Sequence, residues 1–332
     1  MLSYIDPQIH MTKNFRTEYN NIKPGDHSII KLDVGRLPSD TSLSIQVHVY
    51  RSKTPGPTSL ILAGVHGDEI NGIEIVRRCI KNDGLEKIRH GNIIVIPLLN
   101  VYGFINFNRF VPDGKDVNRS FPGTKSGSLA SRIAGTLTKY ILPEVDYIFD
   151  FHTGGDSRYN YPQIRYSQSD KKAAELSRIF GAPYIIQSGI ISKSLRKSAR
   201  DSKIPILVFE GGEATRLNGP AIKIGSEGLR RCLSHLGYQD LATHSKPKKL
   251  PILITKTSWI RASFSGIFIW TQKSGDLVTK GDKLGSINDP NGKKSISVLA
   301  HKTGYLVGHN NASVVNQGDA LFHLGYEFES TY

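Results

Sequence analysis

The 332-residue sequence is poor in cysteine, with only Cys79 and Cys232. Both lie in apolar patterns typical of helices, each beside a pair of arginines. A disulfide framework needs more cysteines than this, so the class of small crosslinked secreted domains is excluded. We predict that both thiols are reduced and belong to the core.

Long apolar runs and low-complexity segments are also missing. No apolar run approaches the roughly 20 residues that a helix needs to cross a bilayer. The N-terminal stretch MLSYIDPQIHMTKNFRTEYN carries charges where a signal peptide would need an apolar centre. We therefore expect no membrane partner, residence in the cytoplasm, and an ordered chain except at its ends.

Acidic residues are in the minority, at 29 against 43 lysines and arginines, and the formal net charge is +14. Such a charge invites a nucleic-acid interpretation. The basic residues are dispersed, however, and the only dense run is KPKK at Lys246–Lys249, without interleaved aromatics. We expect no nucleic-acid partner, and a basic surface that attracts small anionic molecules.

Short apolar runs alternate with helical patterns over most of the chain, which predicts an α/β fold around a mixed, mostly parallel sheet with helices on both faces. The predicted strands are Ser59–Val65, Asn92–Leu98, Val145–Phe151, Tyr184–Gln187 and Pro205–Phe209, after an N-terminal hairpin of His27–Val34 and Thr41–Val49. The predicted helices are Ile70–Lys81, Ser128–Ile141, Asp170–Phe180 and Ile222–Leu236.

A polar, basic segment with two prolines, THSKPKKLP, predicts an inter-domain linker. We predict a catalytic domain at 1–245, the linker at 246–251 and a second domain at 252–332. The second domain holds an internal repeat, in which an apolar strand precedes V-x-x-G-D-x-L, at Val278–Leu284 and again at Val315–Leu321. This pattern resembles the halves of a biotinyl/lipoyl-type β-sandwich.

The second domain is therefore expected to be a small, all-β barrel-sandwich. True carriers of that type present a modifiable lysine on the hairpin between the two copies. Here the corresponding stretch reads NDPNGKKS and lacks the carrier pattern. We interpret the domain as structural.

A cluster of polar residues follows the first predicted strand of the sheet. In SLILAGVHGDE, an apolar run ends directly before His66, and Glu69 follows three residues later. Gly67 gives the intervening turn its freedom, so both side chains could point at one ion. Catalytic zinc commonly takes two histidines and one glutamate and keeps one position open for water.

The third ligand must come from another strand, and the best candidate is His152 in DYIFDFHTGG. Like His66, it stands where a buried strand gives way to glycines, and Asn100 and Glu210 also follow strands. Sites in α/β sheets form at the carboxyl ends of strands. The alternatives are a surface-loop histidine at His66 and a core histidine bonded to backbone at His152.

Four motifs together give a specific resemblance: A-G-V-H-G-D-E-x-N-G, D-V-N-R-S-F-P-G, D-F-H-T-G-G and F-E-G-G. In order and spacing, over about Leu60–Gly212, they resemble the succinylglutamate desuccinylase/aspartoacylase family of the zinc carboxypeptidase superfamily. The resemblance implies a zinc carboxypeptidase-like fold for the catalytic domain. It implies that His66, Glu69 and His152 bind Zn²⁺, and that Glu210 is the general base and acid.

The resemblance also assigns substrate-binding residues. Asn118 and Arg119 match the pair that holds the substrate carboxylate, and Arg109 matches the arginine that stabilises the oxyanion. The alternative is that these residues lie at the surface, where the arginines form salt bridges. Glu213 is the rival of Glu210 as base. Asp150 either orients a metal ligand or caps local structure.

The predicted function is a zinc-dependent amidohydrolase that removes an acyl group from a small N-acyl amino acid. One alternative is a zinc carboxypeptidase acting on short peptides, and another is a non-catalytic binding module. The sequence leaves the acyl group, the amino acid and the formation of a homo-oligomer open.

Overall fold

The computed structural model describes residues 8–12, 15–239 and 250–330. The strands are β1 Gln8–Thr12, β2 His27–Arg36, β3 Ser42–Arg51, β4 Thr58–Ala63, β5 Asn92–Ile96, β6 Tyr147–Gly154, β7 Arg158–Tyr166, β8 Tyr184–Gln187, β9 Ile206–Glu213, β10 Ile252–Arg261, β11 Gly266–Trp270, β12 Leu277–Val278, β13 Lys283–Asn288, β14 Ser295–Leu299, β15 Gly304–Asn310, β16 Val314–Val315 and β17 Ala320–Ser330. The α-helices are α1 Phe15–Asn21, α2 Ile70–Asn82, α3 Val101–Ile105, α4 Leu129–Thr136, α5 Lys171–Phe180, α6 Leu195–Asp201 and α7 Gly219–His235. Short 3₁₀ turns lie at Leu85–Lys87, Val117–Arg119 and Leu142–Glu144.

Strand β4 shows why the central sheet is covered on both faces. All its residues are buried. Leu60 and Leu62 pack into one apolar cluster, together with residues of α4 and α6. Ile61 and Ala63 pack into a second cluster, which includes residues of α2, α5 and α7. Because successive side chains of a strand point to opposite faces, an unbroken apolar run predicts this arrangement, and the predicted alternation of strands and helices is confirmed.

The main sheet is mixed. Within the described residues its order is β1-β2-β3-β5-β4-β6-β9-β7-β8-β10-β17-β15-β12. The centre, β5-β4-β6-β9, is parallel throughout. The predicted hairpin is β2 and β3, which pair in antiparallel fashion. These parallel strands bring the carboxyl ends of β4, β6 and β9 together at one edge, where the candidate site lies.

Strand β7 was not predicted from the sequence, although it lies inside the sheet between β9 and β8. Its sequence RYNYPQIRY contains Pro162, and a proline argues against a central strand because it lacks the N–H that a ladder needs. The register between β7 and β9 shifts between Asn160 and Gln163, so the proline falls within an irregularity of the ladder.

Helix ends follow local capping chemistry. The Asp170 carboxylate accepts the N–H of Ala173 at 2.9 Å and starts α5, which ends at Gly181 with a φ of 67°, as predicted. Helix α7 begins before the predicted Ile222, because the Asn218 side chain caps it. The stretch predicted as one helix from Ser128 is α4 followed by a wider π-helical turn at Leu137–Ile141.

The described C-terminal residues, 250–330, contain strands and no helix. The internal repeat is visible in two equivalent turns. Gly281 and Gly318 adopt φ values of 96° and 93°. The neighbouring Asp282 and Asp319 carboxylates each accept, at 2.7 Å, the N–H of the residue three positions earlier. Each G-D pair thus closes a tight turn, with the glycine supplying the left-handed conformation and the aspartate the capping oxygen.

The C-terminal strands do not form a closed unit of their own. Strand β10 pairs with β8, and β15 pairs with β7, so part of this region continues the main sheet. A second sheet, β14-β13-β11-β16, encloses a separate apolar cluster with β10, β15 and β17. The expectation of a barrel-sandwich is therefore met only in part.

The predicted linker lies mostly outside the described residues, and the domain boundaries stay a prediction. Both cysteines are free and buried, as predicted. In the described ranges no helix has the length and apolar character needed to span a bilayer. The predicted cytoplasmic residence stays a prediction.

Substitution of Gly228 by alanine is expected to lower the free energy of unfolding by about 1–3 kcal/mol. A Cβ at this position of α7 would lie 2.2 Å from the ring of Phe180, which is buried and has little room to move. Gly219→Ala is the matched control, because a Cβ there meets nothing within 4 Å. Urea unfolding of the two variants checks this, and equal stabilities would contradict the packing described.

Candidate active site

The turn between β4 and α2 carries the first candidate residues. His66 lies in this turn, and Glu69 directly precedes the helix at its N-terminal cap position. A Cβ at Gly67 would lie 2.0 Å from the backbone carbon of Gly103 in α3. Only glycine therefore allows this turn to pack on α3, and the close packing fixes the positions of His66 and Glu69.

The structure brings His66, Glu69 and His152 together, as predicted. The two carboxylate oxygens of Glu69 lie 2.8 Å from Nδ1 of His66 and 2.7 Å from Nδ1 of His152. The ring centroids of the histidines are 5.0 Å apart. One ligand atom from each of the three residues lies within 4.8 Å of the others, and each residue is at most 4% exposed.

Each histidine has a second carboxylate behind it. Nε2 of His66 lies 3.2 Å from Oδ1 of Asp116, and Nε2 of His152 lies 2.9 Å from Oδ2 of Asp150. Metal-binding histidines commonly donate their other ring N–H to a carboxylate in this way, which fixes ring orientation. Of the two roles considered for Asp150, the structure supports orientation of a histidine.

The electrostatics of the cluster favour a positive charge among its members. Burial alone lowers the pKa of His66, but the Glu69 and Asp116 carboxylates outweigh it and raise that pKa above its ordinary value. Burial is similarly outweighed at His152, where Asp150 and Glu69 raise the pKa well above the ordinary value. Burial raises the pKa of Glu69, yet the two histidines hold it far below its usual range.

This donor set fits a zinc ion. Two imidazole nitrogens and a carboxylate oxygen are a common ligand set for catalytic zinc. Here the Nδ1 atoms of His66 and His152 both face Glu69, while their Nε2 atoms face Asp116 and Asp150. With the Nε2 hydrogens given to the outer carboxylates, the Nδ1 lone pairs and the Glu69 carboxylate form a set of ligand atoms that Zn²⁺ would complete.

Arg109 stands at the edge of this cluster. Its Nε and Nη2 donate to Oδ2 of Asp116 at 3.2 and 2.9 Å. Its Nη1 lies 3.3 Å from Nδ1 of His66 and 3.4 Å from Oε1 of Glu69. Asp116 therefore orients the guanidinium so that one amino group faces the candidate metal ligands.

Glu210 lies beside the cluster on the neighbouring strand. In the parallel register of β6 and β9, it pairs with His152. Its Oε2 accepts a hydrogen bond of 2.9 Å from Nδ2 of Asn160, and its Oε1 lies 3.9 Å from Nη1 of Arg165. The rival carboxylate, Glu213, instead accepts a bond of 2.5 Å from Nδ2 of Asn311.

Asn118 and Arg119 lie in a 3₁₀ turn that follows Asp116. The Oδ1 atom of Asn118 accepts the N–H of Leu195 at 2.9 Å, which ties this turn to α6. Arg119 is exposed, and its Nη1 donates to the Asn118 carbonyl oxygen at 2.7 Å. The contacts of this pair run to α6 and to their own turn, so their role toward a substrate stays a prediction.

Sequence reasoning missed four polar residues around the site: Asp116, Asn160, Arg165 and Arg196. Asp116 opens the quoted D-V-N-R motif, so its position was available as a signal. Asn160 and Arg165 lie on β7, whose proline hid the strand. Burial and the charge of Arg165 lower the pKa of Arg196 to about 10, and its guanidinium donates to Ser188 Oγ and to the Gly189 carbonyl oxygen, both at 2.6 Å.

The sequence model of the succinylglutamate desuccinylase/aspartoacylase catalytic domain matches residues 55–236, more than half of the chain. The chain belongs to this family. All seven predicted site residues, from His66 to Glu210, lie within the matched range.

Individual relatives extend the likeness beyond that domain. The chain is 27% identical over 318 residues to an N-alpha-acetyl-L-2,4-diaminobutyric acid deacetylase from Halomonas elongata, with 92% of each chain covered. A product-bound structure of the ectoine utilization protein EutE (DoeB) from Ruegeria pomeroyi has a TM-score of 0.80 at 23% identity, covering 90% of this chain and 94% of that one. An aspartoacylase family protein from Mesorhizobium loti gives 0.79 at 25%, covering 93% and 96%. The shared fold therefore includes the C-terminal strands.

Zinc is expected to stabilise the protein against thermal unfolding through this cluster. At a free zinc concentration a hundredfold above the dissociation constant, the gain is about 2.7 kcal/mol. His152→Ala removes one of the three ligands and should abolish most of this gain. The exposed His235 supplies the control variant, His235→Ala. Unfolding midpoints with zinc and with a chelator check this, and an undiminished zinc effect in His152→Ala would contradict the site.

Proposed function

We propose that the protein is a zinc-dependent amidohydrolase that removes the acyl group from a small N-acyl amino acid. The observation that carries the proposal is the position of Glu210, on the strand next to His152, beside a buried cluster suited to zinc. Membership of a deacylase family supports it, as does a deacetylase relative from Halomonas elongata that acts on an N-acetylated amino acid.

The chain supplies the groups that amide hydrolysis needs. Zinc bound to His66, Glu69 and His152 would supply an acidified water and a Lewis acid for the carbonyl oxygen. Glu210 accepts the proton that the attacking water loses and delivers it to the nitrogen of the leaving amine. Arg109, oriented by Asp116, donates from Nη1 to the negative charge that develops on the carbonyl oxygen.

The substrate carboxylate is assigned to Asn118 and Arg119. Arg119 is exposed at the surface of its turn, where its guanidinium is available to a carboxylate from solvent. Asn118 is anchored through Oδ1 to the N–H of Leu195, which leaves its amide nitrogen as a further donor. A formal net charge of +14 favours the approach of an anionic substrate.

Glu210→Gln is expected to retain zinc and to lose turnover by about two to four orders of magnitude, because an amide cannot accept the proton. Deacylation rates of a panel of N-acyl amino acids, with the zinc content measured on the same samples, check this. Glu213→Gln is the matched control and should keep its turnover. Full activity in Glu210→Gln, with metal-free protein inactive, would contradict the assignment of the base.

Small N-acetyl amino acids are expected to be hydrolysed with a higher kcat/KM than short peptides. The rival function, a zinc carboxypeptidase, uses the same ligands and base, so variants of those residues cannot separate the two. Competition between an N-acetyl amino acid and an unblocked dipeptide in one reaction, followed by chromatography, measures the ratio directly. A ratio in favour of the dipeptide would support the peptidase.

A further inference from the structure

We infer that Asn160 is a positioning residue that holds the Glu210 carboxylate, and that strand β15 of the C-terminal region keeps Asn160 in place. The inference rests on the proposed function, in which Glu210 is the base. It adds a role for a strand that the catalytic-domain family model, ending at residue 236, does not include.

The contact that carries the inference is direct. Nδ2 of Asn160 donates to Oε2 of Glu210 at 2.9 Å, and Asn160 is 7% exposed. The other oxygen of Glu210, Oε1, lies 3.9 Å from Nη1 of Arg165, which is beyond hydrogen-bond distance. Asn160 therefore fixes one carboxylate oxygen of Glu210, and the remaining oxygen keeps its capacity to accept a proton.

A neutral amide suits this role better than a cation would. A hydrogen bond donated to a carboxylate favours its ionised form, which is the form that a base needs. A tight ion pair with an arginine would also hold the carboxylate but would make it a much weaker base. At Glu210 the close partner is the amide of Asn160, and the guanidinium of Arg165 stands further off.

Two strands hold the backbone of Asn160. It pairs with Gly212 on β9 and with Gly308 on β15. Directly after Asn160, the register between β7 and β9 is irregular as far as Gln163. Strand β9 alone therefore does not fix the orientation of this part of β7. The Gln163 side chain also donates to the Val307 carbonyl oxygen at 3.3 Å, which adds a second link between β7 and β15.

Gly308 shows that β15 is fitted to the asparagine side chain. A Cβ at this position would lie 2.9 Å from Oδ1 of Asn160 and 3.2 Å from the Tyr159 carbonyl oxygen. Even a methyl group would therefore push against the amide that holds Glu210. The glycine leaves that amide the space it occupies.

Asn160→Ala should lower kcat by about ten- to a hundredfold, the effect of losing one hydrogen bond to a charged group, with little change in KM. The loss should fall on kcat and spare KM, because Asn160 contacts the base and not Asn118 or Arg119, the residues assigned to the substrate. Asn160→Asp, which has the same shape but no amide donor, places a second carboxylate beside Glu210 and should lower kcat further. Gly308→Ala on β15 should also lower kcat, because its methyl group would push against Oδ1 of Asn160.

Asn311→Ala is the matched control. Asn311 also donates its amide to a glutamate, but that glutamate is Glu213. The variant should keep both kcat and KM. The zinc content and the unfolding midpoint of every variant are measured, to establish that it is folded and holds zinc. Asn160→Asp serves as the test if Asn160→Ala fails to fold.

An unchanged kcat in folded Asn160→Ala and Asn160→Asp would overturn the inference. A loss in Asn160→Ala that raises KM as much as it lowers kcat, or that is matched by an equal loss in Asn311→Ala, would indicate a general structural role and would also overturn it. Glu210→Gln separates this failure from that of the proposed function. If Glu210→Gln is inactive while the Asn160 variants are normal, only the inference fails.

Discussion

A buried carboxylate shared between two imidazoles is the interaction on which the rest of the site depends. Glu69 is 2% exposed and contacts both His66, in the turn after β4, and His152, on β6. Two further carboxylates, Asp116 and Asp150, stand behind the histidines. So much negative charge is costly to bury unless cations or hydrogen bonds compensate it, and here the histidines and Arg109 do so.

The fold supplies the geometry for this cluster. Parallel strands β4, β6 and β9 end at the same edge, so residues that are far apart in the sequence meet there. The turn after β4 packs closely on α3 at Gly67, and Asp116 connects the following turn to His66 and Arg109. Side chains at strand ends are held precisely because the buried sheet that carries them is rigid.

The sequence predicted those parts of the molecule that local patterns encode. Apolar runs located the buried strands, and capping residues such as Asp170 located helix starts. Histidines directly after apolar runs indicated which side chains would meet. The resemblance to a known family added expected roles for Glu210, Asn118 and Arg119, which local patterns alone could not assign and which stay predictions.

The missed features depend on pairing between distant segments. Pro162 hid β7, because the irregularity that accommodates a proline is visible only once the neighbouring strand is known. Asn160 and Arg165 were missed for the same reason. The contacts of the C-terminal strands with β7 and β8 were also invisible, since the repeat predicted a self-contained domain and says nothing about the partners of its edges.

The continuity of the sheet from β8 into β10 has a consequence for how the chain tolerates truncation. A protein ending near residue 245 would leave the backbone donors and acceptors of β8 without the partner strand that now covers them. Exposed strand edges of this kind template pairing with other chains and promote aggregation. The C-terminal strands thus cover the edge of the main sheet at β8. A protein that lost them in evolution would need another segment to cover that edge.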